Sequence, residues 1–393
     1  MVIKINNKKI LTLLLSIFIL IFSINNITSA NYNINIESNS PYYSSSNLNK
    51  DGKNFEINFI GYGSVGNNSI NSKYLSQHLD EENKDDILSN IENNGELIVL
   101  GNGIQNINIR YKNLTFFTGI KEIGLASIPK DAIELLLKGN EIGKKYELEG
   151  TKAELALYND TGFSYSFKNP KLANQFNSQE VRLNGTLHYL KGGIAKLNGE
   201  GSFTLNYEDT ITGSGIIQAE YAKKATGYSL DFGLNTKVND KLYWSFSISN
   251  IGAISTDKAS YYEYSYDPEA NEFKETTDQK LDNLKYSLPM EINFGTKYRW
   301  KDNINLIGSY SLTNYNTDHL DHRISGEIVY NKIKFLPVSI GATYSTLQNN
   351  IVLSSGVVLK LGSMYTKVIF SDLQSLFNGS KSVSLGISSG FSF

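Results

Sequence analysis

The last thirteen residues of the chain, KSVSLGISSGFSF at positions 381–393, alternate between two kinds of side chain. The large apolar residues all share one parity, and serine or glycine occupies every position of the other parity. Because successive side chains of a β-strand point to opposite faces, this segment predicts a strand with one apolar face and one face of small polar groups. The closing strand of a transmembrane β-barrel has these properties, since its outer face contacts lipid and its terminal aromatic residue lies in the interfacial girdle. We therefore predict that the barrel assembly machinery recognises a face made of Val383, Leu385, Ile387, Phe391 and Phe393.

The first thirty residues resemble a secretory signal peptide. Three lysines precede an apolar run at positions 10–22, and small residues occupy positions 28–30. This order of basic, apolar and small residues predicts cleavage between Ala30 and Asn31. The apolar run is shorter than the roughly 20 residues that a helical membrane span needs. The chain contains no cysteine, so neither lipid attachment through cysteine nor a disulfide framework is available to it.

The composition favours strands and argues against a nucleic-acid partner. The formal net charge is −2, whereas a general nucleic-acid binder needs a basic surface. The chain has 25 tyrosines and 19 phenylalanines but only 6 prolines, which favours many strands. A mean hydropathy of −0.28 is unusual for a helical membrane protein and expected for a barrel, whose strands are half polar. No further apolar run is long enough for a helical span.

The pattern along the chain predicts three regions: a signal peptide at 1–30, an N-terminal segment with the first strands and short helices at 31–150, and the main barrel strands at 151–393. Helical spacing of apolar residues at 72–91 and 129–138 predicts two short helices, which we expect in the lumen or at its mouth.

Later segments alternate in hydrophobicity between turn signals. Residues 154–158 and 163–167 flank the sequence NDTG at 159–162, and residues 228–234 and 242–248 flank Asn239-Asp240. Gly192-Gly193 marks a further turn. We expect about 14 strands, because single-chain bacterial barrels have even strand numbers. A soluble sandwich would also alternate, but aromatic residues crowd the expected strand ends, as in a membrane girdle: Tyr243, Trp244, Tyr298, Trp300, Tyr310, Tyr330, Tyr344 and Tyr365.

Several stretches together resemble a known group of proteins. They are AIELLLKGN at 132–140, residues 154–167, LHYLKGGIAKLNG at 187–199 and residues 230–254. The chain resembles an uncharacterised family of bacterial outer-membrane proteins with a domain of unknown function. That family is grouped with the FadL-type long-chain fatty-acid transporters and with the barrel component of the type IX secretion system. The resemblance implies an all-β, antiparallel transmembrane barrel in the bacterial outer membrane, with an inward-folded N-terminal segment.

Residues with catalytic or metal-binding chemistry are sparse. His319 and His322 lie in a polar turn with two aspartates, and a loop is the favoured reading over a metal site. His188 precedes Ser202 and Asp209, but the spacing does not define a catalytic triad. We therefore predict no enzyme activity, no cofactor and no metal.

Two functions remain for such a barrel. Small residues at inward positions of the late strands (Ser339, Gly341, Ser354 and Gly356) favour a lumen filled by a plug, and hence passive transport of small hydrophobic or amphipathic molecules. The alternative is a surface barrel that does not transport, acting as a secretion-system anchor or an adhesin.

Residues 255–283 form the longest insertion, which we place outside the cell. Its aromatic residues could bind a carbohydrate or protein, or could extend the girdle: Tyr261, Tyr262, Tyr264 and Tyr266. Expected partners are outer-membrane lipid, the assembly machinery and a hydrophobic small molecule.

Overall fold

The computed structural model describes residues 54–76, 78–139, 141–206, 211–267, 272–315, 319–371 and 380–392. Within them, a closed 14-strand antiparallel barrel accounts for most of the chain, which confirms the predicted fold class. Strands are numbered β1 to β20 in chain order. The barrel strands are β1 (Phe55–Asn67), β2 (Glu96–Tyr111), β3 (Leu114–Pro129), β5 (Thr151–Lys168), β6 (Glu180–Glu200), β9 (Ile216–Lys237), β10 (Leu242–Thr256), β14 (Met290–Lys301), β15 (Ile304–Tyr315), β16 (His319–Tyr330), β17 (Val338–Ser345), β18 (Asn350–Leu361), β19 (Met364–Ser371) and β20 (Ser382–Ser392).

The remaining elements lie between barrel strands. In the described part of the chain, three α-helices span Glu81–Asn94, Lys130–Lys138 and Pro170–Gln175, and a 3₁₀ helix spans Ser72–Ser76. The other strands are β4 (Lys145–Glu147), β7 (Ser202–Leu205), β8 (Ile211–Gly213), β11 (Ala259–Asp267), β12 (Glu272–Leu281) and β13 (Leu284–Ser287). None of the described helices combines the length and the apolarity that crossing a membrane requires.

The C-terminal strand closes the barrel. β20 pairs with β19 on one side and with β1 on the other, where Ile387 lies opposite Gly61. Val383, Ile387 and Phe391 point outward and are exposed, whereas Ser384 is buried on the lumen side. Recognition of this face during assembly stays a prediction, and its residue Phe393 lies outside the described residues. The expected cleavage site between Ala30 and Asn31 and the expected inward-folded segment before residue 54 also lie outside them.

The outer wall carries a belt of exposed large apolar side chains. Their parity along each strand is the opposite of that of the buried serine, threonine and asparagine residues. Such a belt is more stable in contact with lipid than with water, because exposing apolar area costs free energy in water but not in hydrocarbon. The belt includes Phe59, Ile107, Phe116, Phe163, Phe232, Phe294, Ile324, Ile340, Val357 and Phe370.

Most of the expected girdle aromatics lie on this outer face, but two do not. Tyr298 and Trp300 are exposed on the outer wall at the end of β14. Tyr365 instead faces the lumen, where its hydroxyl donates to Glu56 Oε1 at 3.2 Å. Tyr243 also has lumen parity, with Lys297 Nζ 5.7 Å from its ring centre. Both tyrosines lie near strand ends, where the residue types alone do not show whether a side chain faces the lumen or the outside.

The two ends of the barrel differ. Connections at one end are short, such as residues 112–113 and 302–303, whereas the other end carries connections at 68–95, 130–150, 201–215 and 257–289. In outer-membrane barrels the short turns are periplasmic and the long loops extracellular.

The helices Glu81–Asn94 and Lys130–Lys138 pack together at the long-loop end. Their buried residues Ile87, Ile91 and Ile133 contact Leu97, Val99 and Ala126. The strand residues in this contact share the parity of the outer face, so the helices rest against the outer side of the rim.

Two of the predicted turns are absent. The NDTG sequence at 159–162 lies within the continuous strand β5, and Gly192-Gly193 lies within β6, which is 21 residues long. Both sequences resemble turns because asparagine, aspartate and glycine favour turns locally. In the barrel their glycines serve close packing instead. A Cβ at Gly192 would lie 2.0 Å from the carbonyl oxygen of Leu157, so only glycine fits.

Candidate functional site in the barrel lumen

Four ionisable side chains meet on the lumen face of four consecutive barrel strands. Lys121 lies on β3, Asp160 on β5, His188 on β6 and Asp231 on β9. Strand register brings them together, since His188 is paired with Gly162, two residues beyond Asp160, and Asp231 is paired with Thr186, two residues before His188. We call these four residues the lumen cluster.

The lumen cluster is a continuous chain of hydrogen bonds. Lys121 Nζ lies 2.6 Å from Asp160 Oδ2, and His188 Nδ1 lies 2.9 Å from Asp160 Oδ1. On the other side of the ring, His188 Nε2 lies 2.9 Å from Asp231 Oδ2. Asp160 is 1% exposed and His188 is 4% exposed, so these groups interact in an environment with little water.

With both aspartates ionised, this geometry implies a charged imidazole ring at His188. An ionised carboxylate only accepts hydrogen bonds, so each ring nitrogen of His188 must carry a proton to donate to its aspartate. The imidazolium and the Lys121 ammonium then balance the charges of Asp160 and Asp231. A buried charge is tolerated when it is paired and hydrogen-bonded in this way.

A β-bulge holds the far end of the cluster. The pairing of β9 with β10 shifts between Ile248 and Ile251, and Asn250 there has a φ of 61°. Asparagine adopts this left-handed conformation more readily than most residues. The bulge turns the Asn250 backbone N–H toward Asp231 Oδ1, to which it donates at 2.8 Å. The Asn250 side chain donates to the carbonyl oxygen of Pro289 at 3.1 Å, which fixes the bulge against the next connection.

A glycine makes room for an aromatic neighbour of the cluster. The Phe117 ring lies 5.0 Å from the His188 ring, centre to centre. Gly162 lies beside it, and a Cβ at that position would be 2.5 Å from Phe117 Cζ. The glycine in the NDTG sequence therefore permits the contact between Phe117 and His188.

The lumen cluster borders a cavity of about 50 Å³. Its lining combines the four cluster residues with apolar side chains, including Ile104, Phe117 and Ile123, and with Glu291 from β14. Three polar atoms in the lining have no hydrogen-bond partner among the described residues: Glu291 Oε1, Asn106 Oδ1 and Ser164 Oγ. Their residues are 6%, 6% and 2% exposed, respectively. The cavity thus offers an apolar wall and several polar groups able to bind a ligand.

Apolar side chains occupy the lumen between this cavity and the long-loop end. One cluster includes Ile98, Leu100, Leu125, Tyr315 and Leu347, and so joins β2 and β3 to the opposite wall. A second cluster lies between His188 and the long-loop end, on β6, β9, β10 and β13. It includes Leu190, Ile194, Ala222, Ala225, Ile254 and Tyr286.

The lumen is more highly charged than the sequence indicated. Ser339, Gly341, Ser354 and Gly356 do have lumen parity, as expected. The other strands, however, contribute buried charged pairs in addition to the lumen cluster. Arg110 Nη2 lies 2.7 Å from Glu56 Oε2, and Arg323 Nε lies 2.5 Å from Asp321 Oδ2. The expectation of a plugged lumen rested on the late strands alone, and most of these buried charges lie on other strands.

The histidines considered as metal or catalytic residues are spread over the barrel. His319 has lumen parity and lies 3.6 Å from Glu96 Oε1, whereas His322 points outward beside the Tyr310 hydroxyl. No group of three or more potential ligands for a metal ion occurs in the described part of the chain. His188 is bound to Asp160 and Asp231, and Asp209 lies outside the described residues.

The tyrosine-rich insertion forms the hairpin of β11 and β12 at the long-loop end, where β11 also pairs with β9. Tyr261 donates to Glu263 Oε2 at 2.6 Å, and Tyr266 packs against Tyr146. Burial and the neighbouring carboxylates of Glu263 and Asp267 raise the pKa of Tyr261 and of Tyr266 to about 12, so both hydroxyls stay protonated at neutral pH. Tyr262 and Tyr264 are half-buried on the same hairpin.

The fold defines the class of this protein: a closed antiparallel barrel with an apolar outer belt and a polar lumen, as in transmembrane β-barrels. Residues 25–368 match the family of unknown function DUF5723, and the chain belongs to that family. A search of the curated proteins found no match to this sequence.

Solved structures of similar fold include a transporter and a channel. The toluene transporter TbuX of Ralstonia pickettii is 11% identical, with a TM-score of 0.50, over 89% of this chain and 92% of the transporter. The monoaromatic hydrocarbon channel CymD is 11% identical, with a TM-score of 0.53, over 93% of this chain and 94% of the channel. At this identity the likeness concerns the fold.

Proposed function

We propose that the protein is an outer-membrane channel for passive transport of small amphipathic molecules, with a lumen closed at rest by its own side chains. The observation that carries this proposal is the cavity beside the lumen cluster, which combines an apolar wall with unpartnered polar groups inside a closed barrel. The outer apolar belt supports a position in a membrane, and the fold shared with hydrocarbon channels supports transport as the role.

The size and lining of the cavity bear on the substrate. A dry apolar cavity of roughly 150 Å³ is large enough to bind benzene. The cavity here has about 50 Å³ and contains charged groups. An aromatic hydrocarbon would therefore need movement of lumen side chains and would leave polar groups without partners. Small solutes that carry a hydrogen-bonding group fit this lining better than pure hydrocarbons.

Liposome swelling tests the proposal. Purified protein reconstituted into vesicles should admit a small amphipathic solute such as leucine faster than it admits sucrose. Ser164→Trp fills part of the cavity and should slow the entry of leucine. Phe163→Trp is the matched control, because it introduces the same side chain one residue away on the exposed outer face. Leucine entry no faster than in empty vesicles, or entry unaffected by Ser164→Trp, would refute a route through this cavity.

The β11–β12 hairpin supports a second candidate, a surface barrel that binds a partner as an adhesin or a secretion anchor. It extends the wall of the barrel at the long-loop end and carries four tyrosines beside carboxylates. Replacing Tyr262 and Tyr264 with serine should abolish cell-surface adhesion in this case and leave solute entry unchanged. Adhesion that survives both substitutions would argue against this role for the hairpin.

A further inference from the structure

We infer that the cavity beside the lumen cluster is a binding site for a short-chain primary ammonium ion. The inference rests on the proposed function in taking the cavity as part of the permeation route, and it names the chemical class of ligand that the cavity selects.

The charge balance of the lining is the first argument. The cavity is bordered by three carboxylates, those of Asp160, Asp231 and Glu291, and by two basic side chains, those of Lys121 and His188. Within the lumen cluster, the two basic groups are bonded to the two aspartates. The carboxylate of Glu291 therefore remains as the unbalanced charge of the lining. A cation of single charge would neutralise it, and buried charges are most stable when neutralised by a partner.

The hydrogen-bonding atoms are the second argument. Glu291, Asn106 and Ser164 line the same cavity, and their atoms Oε1, Oδ1 and Oγ have no partner among the described residues. All three can accept a hydrogen bond, and a primary ammonium group offers three N–H donors. Buried polar atoms without partners are uncommon in folded proteins, and they are frequent at sites that bind water or a ligand.

The size and the apolar wall limit the rest of the ligand. A cavity needs roughly 10–15 Å³ to hold a single water molecule. About 50 Å³ therefore accommodates a ligand of a few non-hydrogen atoms. Ile104, Phe117 and Ile123 provide contacts for a methyl or ethyl group, and the Phe117 ring can also interact with a cation.

The charges of Arg323 and Asp321 also act on Glu291, in opposite senses, and Asn293 is a hydrogen-bond partner of its side chain. Arg323 lies on β16 and is bonded through Nε to Asp321, and neither residue borders the cavity. Their pairing also leaves the charge count of the cavity lining unchanged.

Isothermal titration of the purified full-length protein in detergent with methylammonium chloride, at constant ionic strength, tests the inference. Methylammonium should bind, and tetramethylammonium, which has the same charge but no N–H donors, should not. Glu291→Gln should weaken methylammonium binding at least tenfold, in line with the loss of a charge-assisted hydrogen bond. Glu327→Gln is the matched control, since Glu327 is also buried at lumen parity with an unpartnered oxygen but does not border the cavity, and it should change the affinity less than twofold.

Heat-modifiable migration in gels verifies that each variant forms a folded barrel. Absence of methylammonium binding, equal binding by Glu291→Gln, or equal binding of tetramethylammonium would overturn the inference. The swelling assay separates this failure from that of the proposed function. Solute entry without methylammonium binding would refute the ammonium site and leave the transport role standing. Methylammonium binding without solute entry would refute the transport role and leave the ammonium site standing.

Discussion

His188 is the residue whose replacement should most clearly reveal how the lumen is held together. His188→Leu keeps a side chain of similar bulk but removes both hydrogen bonds, at 2.9 Å to Asp160 and at 2.9 Å to Asp231. A hydrogen bond to a charged group contributes about 1.5–3 kcal/mol, so the loss of two would cost about 3–6 kcal/mol. Asp160 keeps its ion pair with Lys121, and Asp231 keeps the Asn250 N–H, so we expect the lower part of this range, about 3 kcal/mol.

Urea unfolding of the barrel in lipid vesicles measures this loss, with the fluorescence of the chain's two tryptophans as the signal. Their positions in β10 and β14 report on the wall beside the cluster. His319→Leu is the matched control, because His319 also has lumen parity but its Nε2 lies 3.6 Å from Glu96 Oε1, beyond hydrogen-bond distance. The control should lower the free energy of unfolding by less than about 1 kcal/mol, as for other weakly coupled positions.

A double substitution tests whether the effect comes from the uncompensated charge. His188→Leu deprives the carboxylates of Asp160 and Asp231 of their bonds to the His188 ring, and Asp231→Asn removes one of these two carboxylates. The double variant should therefore be more stable than the sum of the single effects predicts, by about 1 kcal/mol or more. Additivity within about 0.5 kcal/mol, or a loss below about 1 kcal/mol for His188→Leu alone, would refute the ion-pair reasoning.

Three further outcomes are expected. Deleting Phe393 should reduce the amount of heat-modifiable barrel in the outer membrane, whereas unchanged amounts would exclude a role of this residue in assembly. Ile387→Arg places a charge on the outer belt and should destabilise the barrel in vesicles by about 2–4 kcal/mol. Ser389→Arg should cost less, because Ser389 lies on the same face nearer the end of the strand and the cost of a charge falls toward the membrane interface. Gly162→Val should displace Phe117 and cost about 1–3 kcal/mol in urea unfolding, and an unchanged midpoint would contradict the close contact.

The class of fold could be predicted from the chain because it depends on local alternation. Every barrel strand repeats the same requirement, an apolar side chain outward and a small or polar one inward, so the signal in residues 381–393 recurs in segments such as 228–234. The predicted terminal strand also closes the barrel in the structure. Hairpin positions were harder to predict, because NDTG and Gly192-Gly193 favour turns locally, whereas pairing with long neighbouring strands keeps them extended.

The lumen site required the register of several strands. Lys121, Asp160, His188 and Asp231 are spread over more than a hundred positions, and each looks like an ordinary polar residue in its own strand. One signal was present: aspartate, histidine and lysine occupy inward positions in strands whose other inward residues are mostly small or uncharged. Its meaning depended on which strands are neighbours.

The amino-acid sequence by itself therefore determined that this chain forms a membrane-type barrel, because the alternation of side chains between two environments is a property of each strand alone. The tertiary structure decided what the lumen contains. Register brings the imidazole of His188 between two carboxylates and places Glu291 beside a small cavity whose lining has three carboxylates and two basic side chains. Charges from strands far apart in sequence interact only when the closed barrel sets their distances, since electrostatic energy depends on separation and burial.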